Sequence, residues 1–321
     1  MSYTLDKIDK KILFYLEKNS RIADVKLAKL VNRSKESVRY RIRQLINEKV
    51  ITGFSIILDP TRFGYQPYKL YLNLTNIPSK KKEFLEYLKK EKSLMWLGVA
   101  DGAWDIGLTF FKKNNLDFYS LENRISSEYN DLILRKSTGV VVDVISYSKN
   151  FFVEKAEYDT NILFGESSNL ELDILDKQII QILFNNSRET YTQIARETKS
   201  TVDIIRNRIR KLEDNKIIAQ YRTNIDFNLL GYEFYKTFLY LKKISVADQK
   251  NLIEYCMKNP NVVYLVRQIS QWNMELEIIV KSYHEYNILI NDLREKFSEI
   301  IENIESAIMS QDYIYPAKNF F

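Results

Sequence analysis

LDKIDKKILFYL at residues 5–16 recurs as LDILDKQIIQIL at residues 172–183, 167 positions later. The same or nearly the same spacing relates Asn19-Ser20-Arg21 to Asn186-Ser187-Arg188, Arg41-Ile42 to Arg208-Ile209, Gly64-Tyr65 to Gly231-Tyr232, Trp104 to Trp272, and Lys149-Asn150-Phe151-Phe152 to Lys318-Asn319-Phe320-Phe321. Self-similarity at a fixed spacing identifies an internal repeat. The chain of 321 residues is therefore two copies of one unit.

The first third of each copy has the pattern of three short helices. Asp6 and Asp9 can cap and charge the start of the first helix, a second begins near Asp24, and Ser34 can cap a third. The apolar face of the third helix is expected to consist of Val38, Ile42, Leu45 and Ile46. Three short helices with a tight turn before the last one indicate a helix-turn-helix, and the alternating segment 51–58 after it indicates a strand or wing.

The face of the third helix that is left outside carries cations and hydrogen-bonding groups. In DNA-binding helices of this kind, the N-terminal residues contact bases in the major groove and others contact phosphates. We expect Ser37, Arg39 and Tyr40 to contact bases and Arg33, Arg41 and Arg43 to contact the phosphate backbone, and Lys35 also belongs to the expected DNA-binding set. The corresponding residues of the second copy are Arg206, Asn207, Arg208 and Arg210. A surface arginine at helical spacing can also serve solubility alone, but its recurrence in both copies favours the DNA interpretation.

Positive charge is concentrated in these windows. Residues 1–52 carry 13 Lys and Arg against 6 Asp and Glu, whereas residues 171–222 carry 10 against 8. The whole chain has a formal charge of +6, so the rest of the chain is slightly acidic. This distribution is typical of a protein whose basic windows bind double-stranded DNA.

The second part of each copy alternates strands and helices. In the first copy, we predict strands over 68–75, 95–100, 104–111 and 138–147 and helices over 79–90 and 116–132. The order βαββαβ is that of a ferredoxin-like domain with an antiparallel sheet. The expected fold class is thus α+β, with two winged helix-turn-helix domains alternating with two ferredoxin-like domains.

The quoted motifs, together with SKESVRYRIRQLINEKVITGF at 34–54, resemble the Lrp/AsnC family of bacterial and archaeal transcription regulators. Family members usually carry one such unit, so the tandem duplication is a departure. The resemblance divides the chain into winged helix-turn-helix domains at 1–58 and 171–225, ferredoxin-like domains at 65–152 and 232–321, and a linker at 153–170. It implies a homo-oligomer and a ferredoxin-like domain that serves assembly and the sensing of small effectors, commonly amino acids.

In that family a Gly-x-aromatic-Asp turn lies near the effector site. The first copy matches it with Gly102, Trp104 and Asp105, where the carboxylate could accept an ammonium group. A core role for Trp104 and a turn role for Asp105 are the alternative. The second copy reads Ser270-Gln271-Trp272-Asn273 and lacks both Gly and Asp.

Other functional classes find little support. The chain has one Cys and one His and lacks a Gly-rich phosphate loop, so we predict no enzyme, cofactor or metal site. No apolar run is long enough to span a membrane, and a reducing cytoplasm is the expected location. Two alternatives stay open: an assembly module whose helix-turn-helix domains no longer bind DNA, and a tetrapyrrole-pathway decarboxylase, since such enzymes share this architecture.

Overall fold

The computed structural model describes residues 3–242 and 245–315. The helices are α1 Lys7–Lys18, α2 Asp24–Leu30, α3 Lys35–Asn47, α4 Pro78–Lys89, α5 Asn115–Glu128, α6 Ile174–Asn185, α7 Tyr191–Glu197, α8 Val202–Asp214, α9 Val246–Lys258 and α10 Tyr283–Lys296. The strands are β1 Ile51–Leu58, β2 Gln66–Leu74, β3 Leu94–Gly102, β4 Ile106–Lys112, β5 Ile133–Tyr147, β6 Thr160–Phe164, β7 Ile218–Ile225, β8 Glu233–Leu241, β9 Val262–Ile269, β10 Met274–Val280 and β11 Ile301–Ile314. The repeated motif at 318–321 lies outside the described residues.

The predicted fold class is confirmed. Helices α1–α3 with β1 form one winged helix-turn-helix, and α6–α8 with β7 form the other. Asp6 caps α1 by accepting hydrogen bonds from the backbone N–H groups of Ile8 and Asp9, and Ser34 caps α3. Val38, Ile42 and Leu45 are buried as expected. Ile46 is exposed, which corrects its placement in the core, because it lies at the edge of the apolar face in the last turn of α3.

The two helix-turn-helix units are joined within the chain. Strand β1 pairs antiparallel with β7, with Phe54 opposite Thr223 and Ser55 opposite Arg222. Ser55 and Arg222 are themselves related by the repeat spacing of 167, so a pseudo-twofold axis passes through this pair. The wing of each unit thus packs on the helices of the other: α1 contacts β7 and α6 contacts β1.

A second contact on the axis explains the repeated Asn-Ser-Arg motif. The buried hydroxyls of Ser20 and Ser187 lie 2.6 Å apart. Arg21 donates to the carbonyl oxygen of Ser187, and Arg188 donates to that of Ser20, both at 2.6 Å. In the sequence alone, this motif indicates only that the chain is repeated. In the structure it joins the two copies.

The two ferredoxin-like domains share one closed sheet. Eight strands pair in the order β2, β4, β3, β11, β8, β10, β9, β5, and β5 pairs again with β2. Strand β5 begins at Ile133, earlier than predicted, because its first half pairs with β2 and its second half with β9 of the other copy. Apolar clusters pack the helices α4 and α5 on one part of this ring and α9 and α10 on the other.

The segment predicted as a linker is partly structured. Within residues 153–170, Thr160–Phe164 forms β6 and pairs with β5, so Ser146 lies opposite Asn161. Leu163 and Phe164 are buried there, which gives this polar stretch an anchor that its composition does not suggest. None of the described helices is long and apolar enough to cross a membrane.

A buried ion pair links the domains at the first copy. Glu17 of α1 accepts from the Lys149 ammonium at 2.5 Å and from the backbone N–H of Thr223 in β7 at 3.2 Å. Both charged side chains are 5% exposed. The pair therefore ties α1, the wing of the other copy and the end of the first ferredoxin-like domain together.

Replacing Glu17 by Gln should lower the free energy of unfolding by about 3 kcal/mol, because it leaves the Lys149 charge buried and unpaired. The matched control is Glu154→Gln, since Glu154 pairs with Lys7 at 2.9 Å but both side chains are 85% exposed. An exposed pair of this kind contributes at most about 1 kcal/mol. Denaturant unfolding of the two variants measures the difference, and equal midpoints would show that the Glu17 pair is not structural.

Candidate DNA-binding surface and effector turn

The exposed face of α3 carries most of the residues predicted to bind DNA. Arg33, Arg39, Tyr40 and Arg43 are exposed, and Lys35 and Ser37 are half-buried in the first turn. Gln44 donates to the Tyr40 hydroxyl at 2.8 Å, which holds this ring on the outer face. In α8, Arg206, Asn207 and Arg210 are likewise exposed. Both helices therefore expose arginines on this face, together with the apolar side chains of Ile46 in α3 and Ile204 in α8. Contact of these residues with DNA stays a prediction.

Arg39 in α3 and Arg206 in α8 lie at the centres of the two exposed surfaces, and different partners hold them. Asp24 accepts from Arg39 and from Arg188 of the other copy, each at 2.6 Å. Burial alone would raise the pKa of Asp24, but the hydrogen bonds and charges of the two arginines outweigh it and lower the pKa. Asp24 thus orients Arg39 and neutralises part of its charge.

Tyr191 takes the place of Asp24 in the second copy. The guanidinium groups of Arg21 and Arg206 lie over its ring, at 5.1 and 5.8 Å from the centroid. Arg206 also pairs with Asp203 of its own helix at 2.8 Å. The sequence repeat places Asp24 and Tyr191 at equivalent positions, but it does not show that these side chains hold Arg39 and Arg206.

Arg41 and Arg208 differ from the other predicted DNA contacts. Arg41 donates to Asp6 at 2.6 Å and to Asp9 at 2.8 Å, and Arg208 pairs with the equivalent residues Asp173 and Asp176. Each arginine is half-buried and ties the third helix of its unit to the start of the first. Their phosphate contacts stay a prediction, and the geometry favours a structural role.

Arg41→Gln should lower the free energy of unfolding at neutral pH by about 1–2 kcal/mol, because two carboxylates lose a charged hydrogen-bond donor. Burial alone would raise the pKa of Asp6, but the bonds from Asp9 N–H and Arg41 lower it overall. Asp6 therefore stabilises the fold above its unfolded pKa of about 3.9, and this contribution disappears as the pH falls through the lower folded value. The variant should lose less stability on acidification. Arg43→Gln is the control, since Arg43 is exposed. Thermal unfolding between neutral pH and pH 3 measures the stability of both variants. If the two variants do not differ, the structural role of Arg41 is excluded.

The predicted effector turn lies where the two copies meet. Trp104 is buried and packs against Trp272 of the second copy, with ring centroids 5.7 Å apart. Gly102 has φ +127°, and a Cβ there would lie 2.5 Å from the carbonyl oxygen of Ser306. The glycine is needed because β11 of the other copy approaches the backbone closely.

Asp105 has a structural partner on each side. Its Oδ2 accepts from the backbone N–H of Leu74 at 2.8 Å, and its Oδ1 lies 3.9 Å from the Lys81 ammonium. Asn273 makes the same bond in the second copy, accepting from Leu241 at 2.9 Å. Contact of Asp105 with the ammonium group of an effector stays a prediction. The Lys81 ammonium already occupies one side of the carboxylate, which argues against it.

Asp105→Asn should keep the fold and any effector response, because Asn273 shows that an amide supports this turn. Asp105→Ala should lose about 1 kcal/mol of stability with the bond to Leu74. Thermal unfolding with and without amino acids measures both quantities. Loss of the response in the Asp105→Asn variant, with its stability unchanged, would place the effector at this turn.

Comparison with known proteins identifies the class. Residues 5–52 match a family of winged helix-turn-helix DNA-binding domains, and residues 172–213 match the AsnC-type helix-turn-helix domain. An HTH-type transcriptional regulator of Pyrococcus horikoshii is 31% identical over 121 residues, which are 38% of this chain and 74% of that protein. LrpB of Bacillus subtilis is 24% identical over 151 residues, 44% of this chain and its own full length. Another regulator of Pyrococcus horikoshii is matched over only 43% of its length.

The chain belongs to the Lrp/AsnC family of helix-turn-helix transcription regulators, in a tandem duplicated form. Its whole-chain fold is similar to the crystal structure of the siroheme decarboxylase NirDL, with a TM-score of 0.66, 10% identity, and coverage of 98% of this chain and 96% of that one. At this identity the likeness shows the fold alone. Among the described residues, no group of three or more His, Cys, Asp or Glu side chains is arranged to hold a metal ion.

Proposed function

We propose that the chain is a sequence-specific regulator that binds double-stranded DNA with both helix-turn-helix units at once. The observation that supports this most is the intrachain pairing of the two units about one axis, because a twofold arrangement of recognition helices is what dimeric regulators use to bind two half-sites. A single chain then supplies both units.

The two half-sites should differ in sequence. At equivalent positions, α3 carries Ser37 and Tyr40 where α8 carries Ile204 and Asn207. Asn can form paired hydrogen bonds with adenine, and an apolar side chain can contact a thymine methyl group. A symmetric operator would satisfy only one of these helices. Selection of bound duplexes from random DNA should therefore yield an asymmetric site with two unlike halves.

The double variant Arg39→Ala with Arg43→Ala should lose more DNA affinity than Arg206→Ala with Arg210→Ala. The first window has an excess of seven positive charges and the second an excess of two, so more counterions are released at the first. Each phosphate contact contributes roughly 0.9 to the log-log slope of affinity against salt. Binding titrations at several salt concentrations measure both effects, and equal losses would mean that the copies contribute equally.

The same titrations test the assembly-module alternative. If no duplex is preferred over random DNA at about 0.15 M salt, where regulators of this kind retain specific binding, the DNA-binding proposal fails.

Association of whole chains into dimers or larger oligomers stays a prediction. The two copies already pair within one chain, so this pairing does not itself require a second chain. Sedimentation at micromolar concentrations measures whether whole chains associate.

A second candidate function is supported by one observation, the whole-chain fold shared with NirDL. We weigh it below the regulator because the one histidine, His284, is exposed on α10, and histidine is the residue we expect such an enzyme to use. Incubation of the protein with a tetrapyrrole, followed by absorbance spectroscopy, distinguishes the two. A shifted tetrapyrrole band that co-purifies with the chain would favour the enzyme.

A further inference from the structure

The first residue of the second helix connects the two copies in each helix-turn-helix unit. Asp24 begins α2, and Tyr191, 167 positions later, begins α7. Each of these side chains lies between an arginine of its own recognition helix and an arginine of the other copy. The two sets are Arg188, Asp24 and Arg39 in the first unit and Arg21, Tyr191 and Arg206 in the second. The arrangement is the same in both units, but its central residue is not.

Asp24 leaves one edge of the Arg39 guanidinium available. The carboxylate accepts from Nε of Arg39 at 2.6 Å, and the hydrogen bonds of the described residues do not use Nη1 or Nη2 of this side chain. The guanidinium is planar and rigid, so a bond at Nε also sets the direction of the terminal N–H groups. A guanine base offers two acceptors, O6 and N7, that match such a pair of donors.

Arg188 of the second copy holds the carboxylate of Asp24 in turn. Its Nη2 donates to Oδ1 of Asp24 at 2.6 Å, and its Nη1 donates to the carbonyl oxygen of Ser20 on the axis. Both oxygens of Asp24 therefore accept from arginines, and the side chain is only 15% exposed. The carboxylate cannot turn toward a base without breaking one of these bonds. This geometry is that of a positioning residue rather than a DNA contact.

Tyr191 holds its arginines without such a direction. The guanidinium carbon of Arg206 lies 5.8 Å from the ring centroid. A cation over an aromatic ring is attracted to the face as a whole, so this contact does not select one orientation of the N–H groups. The pair of Arg206 with Asp203 does not replace the missing carboxylate, because Asp203 is 83% exposed and a pair of this kind is weak. Arg206 is therefore less strictly oriented than Arg39.

We propose that Asp24, held by Arg188, positions Arg39 to recognise a guanine in the first half-site. The first half-site then requires this base strictly, and the equivalent position of the second half-site tolerates other bases. This inference rests on the proposed function and names the residues that set its specificity at one position. It also means that the second copy affects recognition of the first half-site through Arg188.

The first test compares Asp24→Asn with Asp203→Asn on the duplex that the wild-type chain selects. The position read by Arg39 is the guanine whose preference over other bases disappears in Arg39→Ala. Asp24→Asn should lower this preference by about tenfold, the scale of one bidentate contact. It should also bind random DNA more tightly than the wild type, because it removes a negative charge beside two arginines. Asp203→Asn removes a negative charge too, so it should tighten random binding and retain the guanine preference.

Competition titrations against duplexes with single base changes measure both quantities. A purely structural role of Asp24 would weaken binding to specific and random DNA alike, and that result would overturn the proposal. An unchanged guanine preference in Asp24→Asn would overturn it as well, while specific binding by the wild type would leave the proposed function intact. A wild-type chain that prefers no duplex would overturn both.

The second test uses Arg188→Gln and Arg21→Gln. Each variant removes an arginine bond to a serine carbonyl oxygen of the other copy, but only Arg188 also contacts Asp24. Arg188→Gln should therefore lower the guanine preference at the position read by Arg39, and Arg21→Gln should retain it. Loss of this preference in both variants, or in neither, would overturn the role of Arg188.

Discussion

The structure depends on the pairing of β1 with β7 across the pseudo-twofold axis. Each strand leaves its own helix-turn-helix unit and packs on the helices of the other, so neither unit has a complete core without its partner. The hydroxyl pair of Ser20 and Ser187 and the reciprocal arginine bonds close the same interface at its centre. The closed sheet joins the same two copies a second time, through β11 with β3 and β5 with β9.

The sequence was sufficient to predict the architecture because the signals for it are local and occur twice. Caps such as Asp6 and Ser34, apolar spacing in the helices and alternation in the strands identify each element within a residue or a few. The repeat then checks each prediction against an independent copy. The α+β class and the helix-turn-helix and ferredoxin-like domains could be read in this way, whereas the partner of each strand across copies could not.

Site residues were harder to predict, because a residue type does not reveal its partner. Arg39, Arg41 and Arg43 are alike in sequence, yet Arg39 pairs with Asp24, Arg41 is tied to the start of α1, and Arg43 donates to the backbone carbonyl of Arg39. Asp24 also accepts from Arg188, which is 164 residues away, a contact that the sequence does not show. Likewise, Arg222 resembles any arginine in a strand until β7 is placed on the axis, with Ser55 opposite.

Duplication within one chain removes a constraint that applies to every symmetric dimer. In a dimer of identical chains, each residue near the axis occurs twice, so an arginine on the axis would face a second arginine and both would need compensation. Here Ser55 lies opposite Arg222, and the two recognition helices carry different residues at equivalent positions. Pairing is also intramolecular, so it does not weaken on dilution as association of separate chains does. A fused pair can therefore keep the twofold geometry that DNA binding requires while each half acquires a different chemistry.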